Sequence, residues 1–227
     1  MLNISVIIPA YNEKDTLPKL LEKVQAQKPA EIIIVDDGSA DGTREFLNSY
    51  AAKNVRKVFH ETNRGKGAAL QSGFALASED VILIQDADLE YDPAEYGRLL
   101  QPILGGAADV VYGSRFVGSY PHRVIFFGHY LANKLITFLT NVFANLNLTD
   151  IETGYKAFRK KALQSITLEE EDFGFEPEVT IKLGRKRWRF YEVGVSYYGR
   201  TYAEGKKIRW QDGFRALWVI LKHGLLS

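Results

Sequence analysis

The stretch VILIQDADLEYDP, residues 81 to 93, runs four apolar residues into a cluster of acidic ones. Asp86, Asp88 and Glu90 stand directly behind a segment suited to burial. Carboxylates this close repel one another unless a proton or a cation intervenes. An Asp-x-Asp pair can do acid–base work, share a proton or hold a hard cation. Magnesium and manganese prefer such oxygen ligands and commonly bridge protein carboxylates to phosphates. Little else competes for a metal: there is no cysteine, and the four histidines (60, 122, 129 and 223) are scattered. The lack of cysteine also removes disulfides and thiolate nucleophiles, which suits a reducing compartment.

Three β-branched runs, ISVIIP (4–9), EIIIVDD (31–37) and DVILIQD (80–86), have the continuous apolar character of strands buried on both faces of a parallel sheet. ADVVYGSR (108–115) reads as a further strand. Helix patterns lie between them, around 13–27 with Leu17, Leu20, Leu21 and Val24 on one face, then around 42–53 and 66–78. This alternation predicts a doubly wound, mostly parallel α/β sheet flanked by helices. Ligands of such sheets bind beyond the carboxyl ends of the strands. Polar sets fall there: Tyr11, Asn12 and Glu13 after the first run, Asp36 and Asp37 after the second, Asp86 and Asp88 after the run at 80–86. Their convergence on one edge predicts a site.

The bulk properties exclude several classes. The 227 residues carry 29 basic and 28 acidic side chains, a net +1, so no global field calls for nucleic acid. No strand is followed by G-x-G-x-x-G, and no G-x-x-x-x-G-K-[ST] occurs, which removes the dinucleotide fingerprint and the P-loop. NRGKGAALQSG (63–73) reads as an anion-binding helix start, with Arg64 and Lys66 near free N–H groups. The N-terminus reads as a strand and not a signal peptide, and no run of about 18 apolar residues predicts a membrane span. From 121 to 150 the chain is apolar at helical spacing, with Phe127, Leu131, Leu135, Phe138, Val142 and Leu146 in one stripe. Neither a linker nor a repeat divides the chain, so residues 1–227 are expected to form one domain.

SVIIPAYNE, IIIVDDGSADGT, NRGKGAAL, QDADLE, GSR and TGYKAF occur in the order and spacing of glycosyltransferase family 2. Within it the chain most resembles the polyprenyl-phosphate hexose synthases, the dolichyl-phosphate mannose synthase group. The resemblance covers nearly the whole chain. It implies a GT-A fold with a nucleotide-sugar-binding half (1–115) and an acceptor-binding half (116–227) that can meet a membrane. It also implies a donor of the GDP-mannose or UDP-glucose type and Mg2+ or Mn2+ on Asp86 and Asp88. Pro9, Tyr11, Glu13, Asp37, Lys66 and Asp86 match donor-binding positions, with Val35 lining the base. Glu90 stands where several relatives have glutamine, which leaves its part in the metal site open. Arg115, Arg123, Arg200 and, more weakly, Ser119 match positions around the acceptor phosphate.

That acceptor suits the residues. A sugar hydroxyl needs a general base, whereas a phosphate monoester, with a second pKa of about 6, is already anionic near neutral pH. It needs cations instead, and Arg115, Arg123 and Arg200 could supply them. Asp150 is the base candidate if the acceptor is a hydroxyl. The segment around Arg200, between Gly199 and Gly205 and followed by Lys206 and Lys207, reads as a loop that closes over the donor. The resemblance further implies a peripheral protein on the cytoplasmic membrane face. Segments 122–146 and 212–225 can lie in a lipid interface or cover the sheet, and for each helix as a whole core packing is the expectation. Two rivals stay open: a hydroxyl acceptor, and a nucleotide-sugar-binding protein without catalysis. The exact sugar and the oligomeric state stay open as well.

Overall fold

The computed structural model describes residues 2–124, 126–205 and 210–225. The first half alternates strand and helix: β1 (Leu2–Ala10), α1 (Leu17–Ala26), β2 (Pro29–Asp36), α2 (Thr43–Ser49), β3 (Val55–Phe59), α3 (Lys66–Leu76), β4 (Val81–Ile84), α4 (Tyr96–Leu104) and β5 (Val110–Ser114). The second half is helix-rich: α5 (Phe127–Ala144), β6 (Lys156–Arg159), α6 (Lys160–Gln164), α7 (Phe175–Arg185), β7 (Phe190–Gly194) and α8 (Trp210–Leu225). One seven-stranded sheet has the order β3-β2-β1-β4-β6-β5-β7. All pairings are parallel except the two made by β6.

Alternate residues of the central strands feed two cores, which is why these runs read as continuously apolar. Val6, Ile8, Ile32 and Ile34 pack with α1 through Leu17, Leu20, Leu21 and Val24, and with Leu99 and Ile103 of α4. Ile7, Ile33, Ile82 and Ile84 pack on the other face with Ala69 and Leu70 of α3 and Val179 and Ile181 of α7. The chain leaves β1 towards β2 and β3, then returns to β4 on the other side. The carboxyl ends of β1 and β4 therefore flank a topological switch, where a crevice opens.

The four expected strands are present. Three others are not signalled by apolar runs. β3 is a half-exposed edge, β7 carries Glu192, and β6 begins at the buried Lys156.

Helix α5 departs most from expectation. Its apolar stripe faces out, with Phe127 73% and Phe138 63% exposed and Leu131, Leu135 and Val142 exposed between them. Asn133, Ile136, Thr137 and Thr140 face in. The physical reason is the buried segment 148–151, whose polar groups this inner face satisfies. Asn133 Nδ2 donates to Asp150 Oδ1 at 2.9 Å, and Ile151 N donates to Thr137 Oγ1 at 3.3 Å. Leu146 lies beyond the helix and is half-buried. Helix α8, which packs on α5 and α7, also turns Phe214, Trp218, Leu221 and Leu225 outward. Core packing of both helices as a whole is thus corrected: each packs one face on neighbouring helices, α5 also on residues 148–151, and exposes an apolar face.

Candidate active site

The turn after β1 is held by the loop after β2. Asn12 adopts a left-handed conformation (φ 51°); its N–H donates to Ser39 Oγ at 2.9 Å and its Oδ1 accepts from Ala40 N at 2.9 Å. Glu13 N donates to Thr43 Oγ1 at 2.9 Å, which aims the Glu13 carboxylate towards the end of β4. Asp37 is buried. It accepts from His60 Nδ1 at 2.7 Å, Arg64 N at 3.0 Å and Gly65 N at 2.8 Å.

Those last two bonds, with Ala68 N donating to the carbonyl of Glu171 at 2.9 Å, occupy N–H groups that the anion-binding reading of residues 63–73 requires. That reading is narrowed, because three of the N–H groups at this helix start are already committed. The small residues serve close packing: a Cβ on Gly67 would lie 2.3 Å from the carbonyl oxygen of Glu170. The Lys66 side chain does reach the site. Its Nζ lies 2.9 Å from Asp86 Oδ1 and 3.3 Å from Glu176 Oε1. Burial opposes its charge, but Asp86 and Glu176 outweigh this and hold the ammonium protonated well above the ordinary lysine range.

The Asp-x-Asp pair opens into a cavity of about 690 Å³. Pro9, Tyr11, Glu13, Asp37, Lys66, Asp86, Asp88, Glu90, Arg115 and Arg200 all line it. Burial first, then Glu90 and Asp86, push the Asp88 carboxyl up to about 7, against the pull of Arg200. Arg200 Nη2 lies 3.1 Å from both Glu13 Oε1 and Asp88 Oδ2, and its backbone N–H donates to Glu90 Oε1 at 2.7 Å. Its Nε is buried without a hydrogen bond among the described residues. Glu90 also accepts from Tyr197 Oη at 2.9 Å, so both its oxygens are engaged. Among the described residues, eight carboxyl groups and three cationic side chains line the cavity.

A residue beside this cluster has an exacting position. Gly154, just before β6, lies against Asp86, and a Cβ there would fall 1.9 Å from Asp86 Oδ2. Gly154→Ala should leave the fold intact, because the obstructed atom ends a side chain that can swing away. It should cost about 100-fold or more in activity, because Asp86 is displaced. Thermal melting with Mn2+ titration checks this; a variant with normal activity would show that Asp86 need not hold its position.

Several residues fall elsewhere than expected. Val35 is wholly buried in the same core cluster as Ile7 and Ile33 and is not among the residues that line the cavity. Asp150 is fully buried and locked. Arg115 Nε and Nη2 donate to it at 2.6 and 2.7 Å, alongside Asn133. Burial alone would raise its pKa, yet Arg115 holds it below the ordinary carboxylate range. It thus orients Arg115 and does not reach the cavity as a base. Arg123 lines a neighbouring cleft with Pro121, His122, Tyr197 and Tyr198, where its Nη1 donates to the Gly199 carbonyl at 3.0 Å and to Glu204 Oε2 at 2.7 Å. It braces the loop that carries Arg200. Ser119 is exposed and lines neither space. Lys206 and Lys207 lie outside the described residues.

Residues not singled out from sequence also line the cavity, among them Asn63, Tyr91, Glu152, Phe173, Glu176 and Asp212. Glu152 lay in view beside TGYKAF; Glu176 sits inside a helix with no local signal. A separate cluster of Glu169, Glu178 and His223 has metal-like spacing, but lysines fill it. Lys182 Nζ lies 2.7 Å from Glu178, and Lys222 Nζ lies 3.1 Å from Glu169.

The glycosyl transferase family 2 model matches residues 5–167. The chain is 32% identical to the undecaprenyl-phosphate mannosyltransferase of Micrococcus luteus, over 90% of this chain and 87% of that protein. It is 30% identical to the polyprenol monophosphomannose synthase of Mycolicibacterium smegmatis, over 88% and 79%. Glucosyl-3-phosphoglycerate synthase from Mycobacterium tuberculosis, solved with Mn2+ and uridine-diphosphate-glucose, superposes with a TM-score of 0.77 at 20% identity, covering 100% of this chain and 80% of that one. The same enzyme has been solved with Mg2+ and uridine-diphosphate. The expected GT-A architecture is borne out, and the chain belongs to glycosyl transferase family 2 and is a glycosyltransferase.

Proposed function

We propose that the protein moves a hexosyl group from a nucleotide-sugar of the GDP-mannose or UDP-glucose type to a polyprenyl phosphate, with inversion, at the cytoplasmic surface of a membrane. The observation that carries this reading is the outward apolar face of α5 and α8, which suits a lipid-borne acceptor. Relatives named for undecaprenyl-phosphate and polyprenol substrates support it. No described helix is long and apolar enough to cross a membrane, which fits a peripheral attachment.

Asp86 and Asp88 are both hard oxygen donors, and Asp88, raised by burial and by the charges of Glu90 and Asp86, would give up its proton to Mg2+ or Mn2+. When bound, the cation supplies charge to the donor diphosphate and makes the nucleoside diphosphate a better leaving group. Arg200, whose Nε lies 3.6 Å from Glu90 Oε1 without a hydrogen bond among the described residues, binds phosphate oxygens, and its release from Glu13 and Asp88 couples donor arrival to local rearrangement. Arg115, held by Asp150, presents fixed positive charge to the acceptor phosphate. An acceptor oxygen that is already anionic attacks the anomeric carbon without a base, consistent with the engagement of Asp150.

Purified protein given donor, Mn2+ and a short-chain polyprenyl phosphate in vesicles should release nucleoside diphosphate and form glycolipid. Omitting either the metal or the lipid phosphate should remove both products. Equal turnover with a free sugar in place of the lipid phosphate would overturn the acceptor assignment.

A further inference from the structure

Two carboxyl oxygens in the cavity wall have no hydrogen-bond donor among the described residues. Glu176, in the first turn of α7, is 3% exposed. Its Oε1 faces Lys66, while its Oε2 is buried with no hydrogen bond among the described residues. Glu152, on the turn between Asp150 and Gly154, has a buried Oε1 in the same condition. Both residues line the cavity, and Lys66 bridges Glu176 to Asp86. The pair thus adjoins the carboxylate assigned to the cation. Burying an acceptor without a donor is costly, and native folds keep such atoms chiefly where a ligand or water completes them.

Resting on the reading that this cavity holds a nucleotide-sugar, we infer that Glu152 and Glu176 form the subsite that reads the transferred sugar, each open oxygen accepting a hydroxyl of the hexosyl group. A second cation is a poor occupant, because Lys66 and Lys156 already bring positive charge. Lys156 is buried, donates to the Thr153 carbonyl and lies 4.8 Å from the centre of the Tyr112 ring. A sugar hydroxyl is small, uncharged and both donor and acceptor. The surroundings suit it: burial and then Glu176 push the Glu152 carboxyl up to about 8, opposed by Lys156 and Arg115 and reinforced by Asp150. Near neutral pH that carboxyl is therefore largely protonated and can donate as well as accept. A site built to bond a hydroxyl discriminates strongly against a sugar that lacks it, because the protein group is then left unpaired.

The test is calorimetric binding in Mn2+ of GDP, GDP-mannose, UDP, UDP-glucose and the single-deoxy forms of whichever nucleotide-sugar binds. Glu152→Ala and Glu176→Gln should keep nucleoside diphosphate affinity within about twofold and weaken the nucleotide-sugar by about tenfold or more. A deoxy donor penalised by the wild type should lose that penalty in one variant. The melting temperature of Glu152→Ala should not fall, because a crowded carboxyl is removed. Parallel weakening of nucleotide and nucleotide-sugar with a lower melting temperature would make the pair structural and overturn the inference. So would undiminished sugar affinity. Failure of the wild type to bind any of these compounds would instead overturn the nucleotide-sugar reading on which the inference rests.

Discussion

Asp88→Asn should lower transfer by about 1,000-fold or more and at the same time stabilise the metal-free protein. The two effects share one cause. Asp88 lies among Asp86, Glu90 and Glu13, and its carboxyl is raised to about 7 by burial and by like charge. A folded pKa above the unfolded value near 3.8 means that the native state binds the extra proton between those limits. Stability contributed by that proton is therefore present at low pH and is lost as pH climbs towards 7. Above that pH the wild type bears the full repulsion, and the neutral amide does not, so the variant should melt higher. Metal reverses the comparison. Because the cation competes with the proton, its apparent affinity in the wild type should rise with pH until about 7 and then level off. Mn2+ should raise the wild-type melting temperature and leave the variant nearly unmoved. Full activity of Asp88→Asn, or of the wild type in excess chelator, would remove the metal from the mechanism.

The fold was legible where one side chain's surroundings follow from its neighbours in sequence. Ile32, Ile33 and Ile34 form a run that only a doubly covered strand accommodates, and Asp86 and Asp88 advertise themselves by following such a run. Asp37 was located correctly at the edge, but its partners (His60, Arg64 and Gly65) come from a loop whose course no local pattern fixes. Asp150 shows the limit more sharply. A carboxylate at a sheet edge looks like a base until Arg115, 35 residues earlier, is seen to hold both its oxygens. Glu176 was invisible for a similar reason. An acid in a helix is ordinarily solvated, and only the packing of α7 on the sheet buries it against Lys66. Periodicity in α5 was read correctly as a stripe. Periodicity gives the stripe but not its direction, and the direction here is set by the demand of residues 148–151 for polar partners.

The outward stripe leads to the second large effect: the double substitution Phe127→Asp and Phe138→Asp should abolish vesicle binding while leaving the fold stable. Both rings are mostly exposed, so a carboxylate at either position stays hydrated and costs the folded protein little. Against a bilayer the balance is different. Each buried phenylalanine contributes about 1.5–3 kcal/mol, roughly 10- to 100-fold in partitioning, and each introduced charge opposes insertion further. Ile136→Asp is the contrasting variant on the same helix. Its side chain is buried beside Thr137, and an unpaired carboxylate there should destabilise the domain by several kcal/mol. Three described cations of these helices are already engaged. Lys134 donates to the Thr149 carbonyl, while Arg215 and Lys222 pair with Glu170. Apolar burial should therefore dominate, with anionic lipid and low salt strengthening sedimentation less than the two rings do. Activity on a lipid acceptor in vesicles should fall with binding in the double variant, and activity on a detergent-dispersed short-chain acceptor should persist. A wild type that fails to sediment with vesicles, or a double variant that sediments equally well, would end the membrane reading and leave the apolar faces of α5 and α8 to another partner.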